Sequence, residues 1–318
     1  MASFESVNYT LRLNKNVERK LMFEALQCIG HKISLIDYQY IGMGSMWFVD
    51  LIMAHRLLHI QDLISLEHSD YADRAIFNKP YDCVQVVPGD TSTLLPTLNW
   101  GKKTIIWLDY DTGVSGPLFD DLTIVGEKIN AGSIIMITAK AHIGDLPNKK
   151  EDGSEFTRRE AMEYTLGQYI PQDMQPVKAS QYPEILGRSI FVALRSHLRV
   201  RSAGLSLLPI FHFYYKDGAP MVTVGAIVVD ETQGYRELVE SSGVFSRFPY
   251  FTGETQYTIK VPPLTQKEKM ALDNMMPSIS APKELLVRAK YGFSIDQELL
   301  DNFFQLYRAY PTFSELAI

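Results

Sequence analysis

Four short polar clusters hold most of the chemistry in this chain. They are Gly42-Met43-Gly44-Ser45, Glu67, Gly89-Asp90 and Asp109-Tyr110-Asp111, and each closes an apolar run. A glycine pair at such a point lets backbone approach a ligand and turn without a Cβ clash. Glu67 follows Gly42 by 25 residues, at the end of the next apolar run. A carboxylate there accepts hydrogen bonds from both hydroxyls of a ribose. Asp90 stands where a carboxylate accepts from a base's amino group, or caps the helical turn of residues 91–95. Asp109 and Asp111 offer carboxylates for a general base or a hard cation. No clear third ligand joins them, so no metal is expected.

Further charged groups cluster at two other places. Residues 9–20 are dense in donors, with Arg12, Asn14, Lys15 and Arg19 before and inside a helical stretch. Asn16 is placed to cap that helix, with Arg19 and Lys20 in its first turn. Cations there oppose the helix dipole, and an anion would relieve them. The stretch is either a solvated amphipathic helix or a cover through which Arg12, Asn14, Lys15 and Arg19 touch substrate or cofactor. Arg188, Arg195 and Arg199 share one polar face beside His197 and Arg201, which suits a phosphate or an acidic partner. A solvated face is the plainer reading. His55 and His59 have no carboxylate in a metalloprotease spacing and read as packing or surface. His212 lies in an aromatic run that reads as a buried strand.

The elements that position these groups alternate. Helical spacing covers 16–30, 47–58, 71–77 and 117–130, with a short helical turn over 91–96. Apolar strands cover 38–41, 63–66, 83–87, 104–108 and 133–139. Continuous apolar strands between helices imply a parallel sheet covered on both faces. Ligands then bind beyond the strands' carboxyl ends, where the four clusters fall. Residues 145–156 and 261–283 read as loops, because turn formers and charge combine there. Beyond 180, a helix over 184–198 precedes strands over 205–215 and 221–229. Residues 216–219 supply the turn of an antiparallel hairpin. Helices over 282–289 and 296–310 follow. Three segments result: an N-terminal helical cap (1–34), a Rossmann-like cofactor-binding core (35–145) and a C-terminal α+β extension for substrate or partner (146–318).

The chain has 318 residues, 46% hydrophobic and 21% charged, which excludes a disordered or collagen-like class. The net charge of −6 is shared equally by the two halves. A general nucleic-acid coat is therefore disfavoured, because such binding needs clustered cations. Two cysteines are too few for a disulfide scaffold or a four-cysteine zinc site, and read as mostly buried thiols. No run of about 18 apolar residues suggests a membrane span. The start Met-Ala-Ser-Phe-Glu has no signal-peptide pattern. A cytoplasmic location is expected.

The order Gly42-x-Gly44, Glu67, Gly89-Asp90 and Asp109-Tyr110-Asp111 resembles the class I S-adenosylmethionine-dependent methyltransferases. The stretch Pro88-Gly89-Asp90-Thr91-Ser92-Thr93-Leu94-Leu95-Pro96 looks like the motif after strand three in the small-molecule O-methyltransferase branch. Ile105-Ile106-Trp107-Leu108-Asp109-Tyr110-Asp111 looks like that branch's motif after strand four. The resemblance covers roughly residues 35–140. It implies an α/β, Rossmann-like methyltransferase sheet with S-adenosylmethionine as cofactor. It also implies that Gly42 and Gly44, with Ser45, flank the methionyl part, Glu67 holds the ribose and Gly89-Asp90 lie near the adenine amino group. Asp109 then faces the reacting methyl, and Tyr110 and Asp111 line the pocket. The family usually has an acidic residue two before the first glycine, and Tyr40 stands there. Together with the N-terminal segment, the glycine motif also looks like a group of bacterial methyltransferase-like proteins, some tied to phage-defence loci.

The expected function is methyl transfer to a small or nucleotide-like acceptor that Asp109 orients or deprotonates. The alternative is a non-catalytic cofactor- or nucleotide-sensing subunit of a larger, anti-phage assembly. Nucleic acid is not favoured as a partner. A homodimer or protein partner would use aromatics such as Phe245, Phe248, Tyr250 and Phe251, which equally fit a core.

Overall fold

A computed structural model describes residues 12–43, 45–114, 117–174 and 178–312. The first half alternates as expected. Helix α1 (Leu13–Gly30) leads to β1 (Gln39–Met43), α2 (Val49–Leu58), β2 (Asp62–Glu67), α3 (Ala72–Asn78) and β3 (Val84–Pro88). Then come α4 (Thr91–Leu94), β4 (Thr104–Asp109), α5 (Leu118–Lys128) and β5 (Ile134–Lys140). The second half holds α6 (Arg158–Leu166), α7 (Tyr182–Arg201), β6 (Leu205–Asp217) and β7 (Ala219–Asp230). It continues with α8 (Tyr235–Ser241), α9 (Val244–Arg247), β8 (Gln256–Thr258), α10 (Gln266–Asp273), α11 (Glu284–Tyr291) and α12 (Gln297–Leu306).

All eight strands form one sheet in the order β3-β2-β1-β4-β5-β7-β6-β8. Strands β1 to β5 run parallel, as their continuous apolar character predicts. The hairpin does extend this sheet: β7 pairs antiparallel with both β5 and β6. Its tight turn is made at Gly218, whose φ of +103° suits glycine. The strand order reverses between β1 and β4, so a crevice opens beyond their carboxyl ends.

Side chains alternate across the sheet into two cores. Ile105 and Trp107 of β4 join α1 and the C-terminal helices on one face, around Leu21, Phe23 and Phe303. Ile106 and Leu108 join α5 and α7 on the other, around Leu122, Ile190 and Phe191. Tyr250 and Phe251 are buried in the first core, with Phe245 and Phe248 packed against it, so these aromatics belong to the core.

Several local expectations change. Helix α1 starts at Leu13, so Asn16 lies inside it and Arg12 takes the N-cap position. Trp47 lies before α2, because Phe48 turns the chain in a left-handed conformation, φ +48°. The stretch 261–283 contains α10, opened by the capping box of Thr265 and Glu268. Cys28 is buried as expected, whereas Cys83 is half-buried. No helix among the described residues is long and apolar enough to cross a membrane.

Candidate active site

A cavity of about 440 Å³ opens beyond the carboxyl ends of β2, β3 and β4. It is lined by Glu67, Gly89, Asp90, Asp109, Tyr110 and Asp111, together with Met43 and His68. Three of the four clusters therefore converge, and Met43 brings the first cluster to the cavity's edge. Glu67 is the last residue of β2 and is only 6% exposed, yet its Oε2 has no hydrogen-bond partner. Burial raises its carboxyl pKa, opposed by the His68 backbone N–H and ring. Gly89 donates its N–H to the Glu67 carbonyl at 2.9 Å and holds φ +142°. That conformation and the nearby Leu94 side chain, 3.1 Å from where a Cβ would lie, make glycine the fitting residue. Asp90 occupies the N-cap position of α4, but its side chain makes no capping bond. Its carboxylate is largely exposed, with His68 Nε2 at 3.8 Å.

Gly42 and Ser45 of the glycine cluster do not line the cavity. Gly42 is buried inside β1, and a Cβ there would lie 2.6 Å from Asp50 Oδ2. The Tyr40 hydroxyl donates to the same oxygen at 3.1 Å. The close approach that Gly42 permits in the folded chain is therefore that of a carboxylate from α2. Ser45 Oγ accepts the Trp47 N–H at 3.3 Å. Gly44 lies outside the described residues.

Helix α1 brings its charges over the end of β4. Lys15 is 3% exposed, and its ammonium lies 2.9 and 2.8 Å from the two oxygens of Asp109. It also lies 3.3 Å from Glu18 Oε2 and 4.7 Å from the Trp107 ring. Glu18 is fully buried. Its Oε1 accepts from the Thr223 hydroxyl, and from Thr138 at 3.5 Å. Burial raises the Glu18 carboxyl pKa, against the pull of Lys15. Arg19, 7% exposed, stacks over Trp107 with its guanidinium carbon 5.9 Å from the ring, and its Nε has no partner.

Asn14 is used structurally. Its Nδ2 donates to Asp217 Oδ1 at 2.8 Å and to the Lys216 carbonyl at 3.1 Å, while its Oδ1 accepts the Val261 N–H at 2.8 Å. Asp217 also accepts the Asn14 and Lys15 backbone N–H groups, at 3.2 and 2.7 Å. An acid from the β6–β7 turn thereby satisfies the positive end of α1. Arg12 stands at the N-cap, half-buried.

Tyr110 points away from bulk solvent and donates to Asp121 Oδ2 at 2.6 Å, where the Thr91 hydroxyl also donates at 2.5 Å. Burial and the Asp121 carboxylate push the phenol pKa well above its ordinary value. The network ties β4, α4 and α5 together and fixes one wall of the cavity.

Three arginines of α7, Arg188, Arg195 and Arg201, are already engaged, while Arg199 is exposed. Arg188 donates to both oxygens of Asp173 at 2.8 Å. Arg195 pairs with Glu254, and Arg201 reaches the Gly126 carbonyl at 3.4 Å. His212 is fully buried, with Nδ1 3.0 Å from the Glu254 carbonyl, and burial pushes its pKa down to about 4. Among the described residues, no three His, Cys, Asp or Glu side chains gather as a metal site.

Glu18, Asp50, Asp121 and Asp217 were not singled out by the sequence. Glu18 does stand three residues after Lys15, a helical neighbour spacing that could have flagged it. Asp217 acts across 203 residues. Asp50 and Asp121 stand 10 and 11 residues from Tyr40 and Tyr110, in each case across a strand-to-helix connection, so no single helix or strand face relates them.

A family model described as "Putative O-methyltransferase" matches residues 7–318. No curated protein matches the sequence. Solved structures with a similar fold include Trm1 from Pyrococcus horikoshii with S-adenosyl-L-methionine, at 12% identity and TM-score 0.46, covering 70% of this chain and 58% of that one. A "putative hemolysin" from Streptococcus thermophilus matches at 10% identity and TM-score 0.40, covering 70% and 72%. LepI in complex with SAM matches at 12% identity and TM-score 0.34, covering 64% and 46%. This chain thus spans 58% of the length of Trm1 and 46% of that of LepI.

Proposed function

Since the chain belongs to the family described as "Putative O-methyltransferase", we propose that it transfers a methyl group from S-adenosylmethionine to a small or nucleotide-like acceptor. Glu67 carries this reading. A buried carboxylate oxygen without a partner is costly unless a ligand donates to it. The Glu67 Oε2 is such an atom, in the wall of a 440 Å³ cavity at the end of β2. A ribose hydroxyl supplies the missing donor. Asp90, uncapping and exposed, is free to accept from the adenine amino group.

When bound, S-adenosylmethionine supplies a methyl group activated on a sulfonium. The chain's own part is placement, which converts the encounter into a near-unimolecular displacement. Asp109 faces the space where the acceptor comes in, with both oxygens already held by Lys15. Each oxygen keeps a further lone pair, so the carboxylate accepts an acceptor hydroxyl and aims it. Lys15 holds that carboxylate in place, so orientation is its first role, and proton acceptance follows as the new bond forms.

Incubation with methyl-labelled cofactor and cell extract tests the reading. Label should enter one or a few small products with the wild type and fall at least tenfold with Asp109→Asn, while cofactor still binds. Tight cofactor binding with no methyl incorporation would instead assign a sensing role within a larger assembly.

A further inference from the structure

Glu18 is a buried acid that the transfer step described above does not use. It sits on α1, fully buried against the sheet. Three strands supply a hydrogen-bonded chain that ends on it. Trp107 of β4 donates its indole N–H to the Thr138 hydroxyl of β5 at 3.0 Å. Thr138 lies 2.8 Å from the Thr223 hydroxyl of β7, and Thr223 donates to Glu18 Oε1. An indole N–H only donates, so each hydroxyl accepts from the group before it and has its own hydrogen to give. Such a chain must end on an acceptor, and Glu18 Oε1 is that acceptor.

The other oxygen is left for Lys15. Oε2 has no hydrogen-bond partner and lies 3.3 Å from the ammonium. The same ammonium lies 2.9 and 2.8 Å from the two oxygens of Asp109. Lysine is a point charge on a flexible four-carbon stem, and the Asp109 side chain is 30% exposed. Paired only with each other, the two could swing together toward solvent. Glu18 pulls the ammonium from the buried side, over the Trp107 ring 4.7 Å away. Stability does not explain the charge, because a buried ion pair gains little over apolar packing of similar volume. The β6–β7 hairpin grips the same helix one turn earlier, where Asp217 accepts the Asn14 and Lys15 backbone N–H groups.

We propose that Glu18 is a positioning residue for methyl transfer: it anchors the Lys15 ammonium, and Lys15 thereby holds the Asp109 carboxylate toward the acceptor. The inference rests on the function proposed above. It also gives the C-terminal extension a part in the reaction, since Thr223 orients Glu18 and Asp217 fixes the helix that carries it.

Transfer from saturating methyl-labelled S-adenosylmethionine into cell extract tests the role with three variants. Glu18→Gln keeps the size and can still accept from Thr223, but turns an amide N–H toward Lys15. It should slow transfer by at least about tenfold. Glu18→Asp leaves a larger packing gap but keeps the charge, and should transfer at least about threefold faster than the Gln variant. Thr223→Val removes the orienting hydroxyl and should slow transfer by about three- to tenfold. Calorimetric affinity for S-adenosylhomocysteine should stay within about twofold of wild type in all three, which also shows that they fold. A wild-type rate in Glu18→Gln overturns the proposal. So does an Asp variant slower than the Gln variant, because packing would then govern. A loss of cofactor affinity as large as the loss of transfer overturns it as well. If the wild type binds S-adenosylhomocysteine but transfers no label, the methyl-transfer reading falls and takes the positioning role with it. Should Glu18→Gln fail to fold, Thr223→Val decides, and a wild-type rate there overturns the role.

Discussion

The two basic clusters look alike as sequence and differ in the folded chain. Lys15 and Arg19 of α1 are buried, and Arg19 retains an unmatched donor. Arg188 and Arg195 of α7 are partly exposed and carry their own carboxylates, Asp173 and Glu254. In the first set Lys15 is answered by Asp109 and Glu18, and Arg19 keeps a donor that nothing in the described chain meets. The second is charge already answered, and it offers little to a phosphate or a nucleic acid. Net charge and residue spacing do not separate these cases. Burial and pairing do.

The contrast can be broken most sharply at Lys15. Replacing it by Met leaves the buried Glu18 and the partly exposed Asp109 without their cation. Breaking such a pair costs about 3–5 kcal/mol, and urea unfolding of Lys15→Met should show a loss of that size. A loss below about 1 kcal/mol would make Lys15 an ordinary surface charge and erase the distinction.

The next effect lies on the α7 side and depends on pH. His212 is buried as the neutral ring, with a folded pKa of about 4. Its unfolded value is near 6.5, so the unfolded chain binds more protons between those two values. Stability should be full above about pH 6.5 and fall by about 3 kcal/mol as pH drops to about 4. His212→Phe should remove that slope, whatever its own cost at neutral pH. A slope unchanged in the variant would move the acid sensitivity to another group.

Tyr110→Phe should cost about 1–2 kcal/mol in thermal or chemical unfolding, because Asp121 loses one of its two hydroxyl donors. Smallest of all, Arg188→Ala should cost less than about 1 kcal/mol, as an exposed pair does. It should also leave cofactor binding unchanged. A strong loss of cofactor binding in Arg188→Ala would show that the α7 face belongs to the site after all.

Much of this was readable from the chain. Strands buried on both faces read as unbroken apolar runs, so β1, β2, β4 and β5 stood out within a few residues. Polar residues at their ends stood out for the same reason, and Glu67, Asp90 and Asp109 do meet in one cavity. What could not be read was contact across distance. Asn14 and Asp217 are 203 residues apart, and Arg195 and Glu254 are 59 apart. Spacing carries no trace of either pair. Tyr40 looked like a missing acid because the acid that stands at Gly42 comes from the next helix. Thr157 with Glu160 and Thr265 with Glu268 were local helix-start signals, hidden among turn formers and charges.

The central claim is that Glu67 waits for a ribose. Calorimetric titration of S-adenosylhomocysteine into wild type and Glu67→Gln tests it most directly. The account predicts saturable one-to-one binding by wild type and at least a tenfold weaker affinity in the variant. No heat of binding up to millimolar ligand, or equal affinity in both proteins, would contradict it.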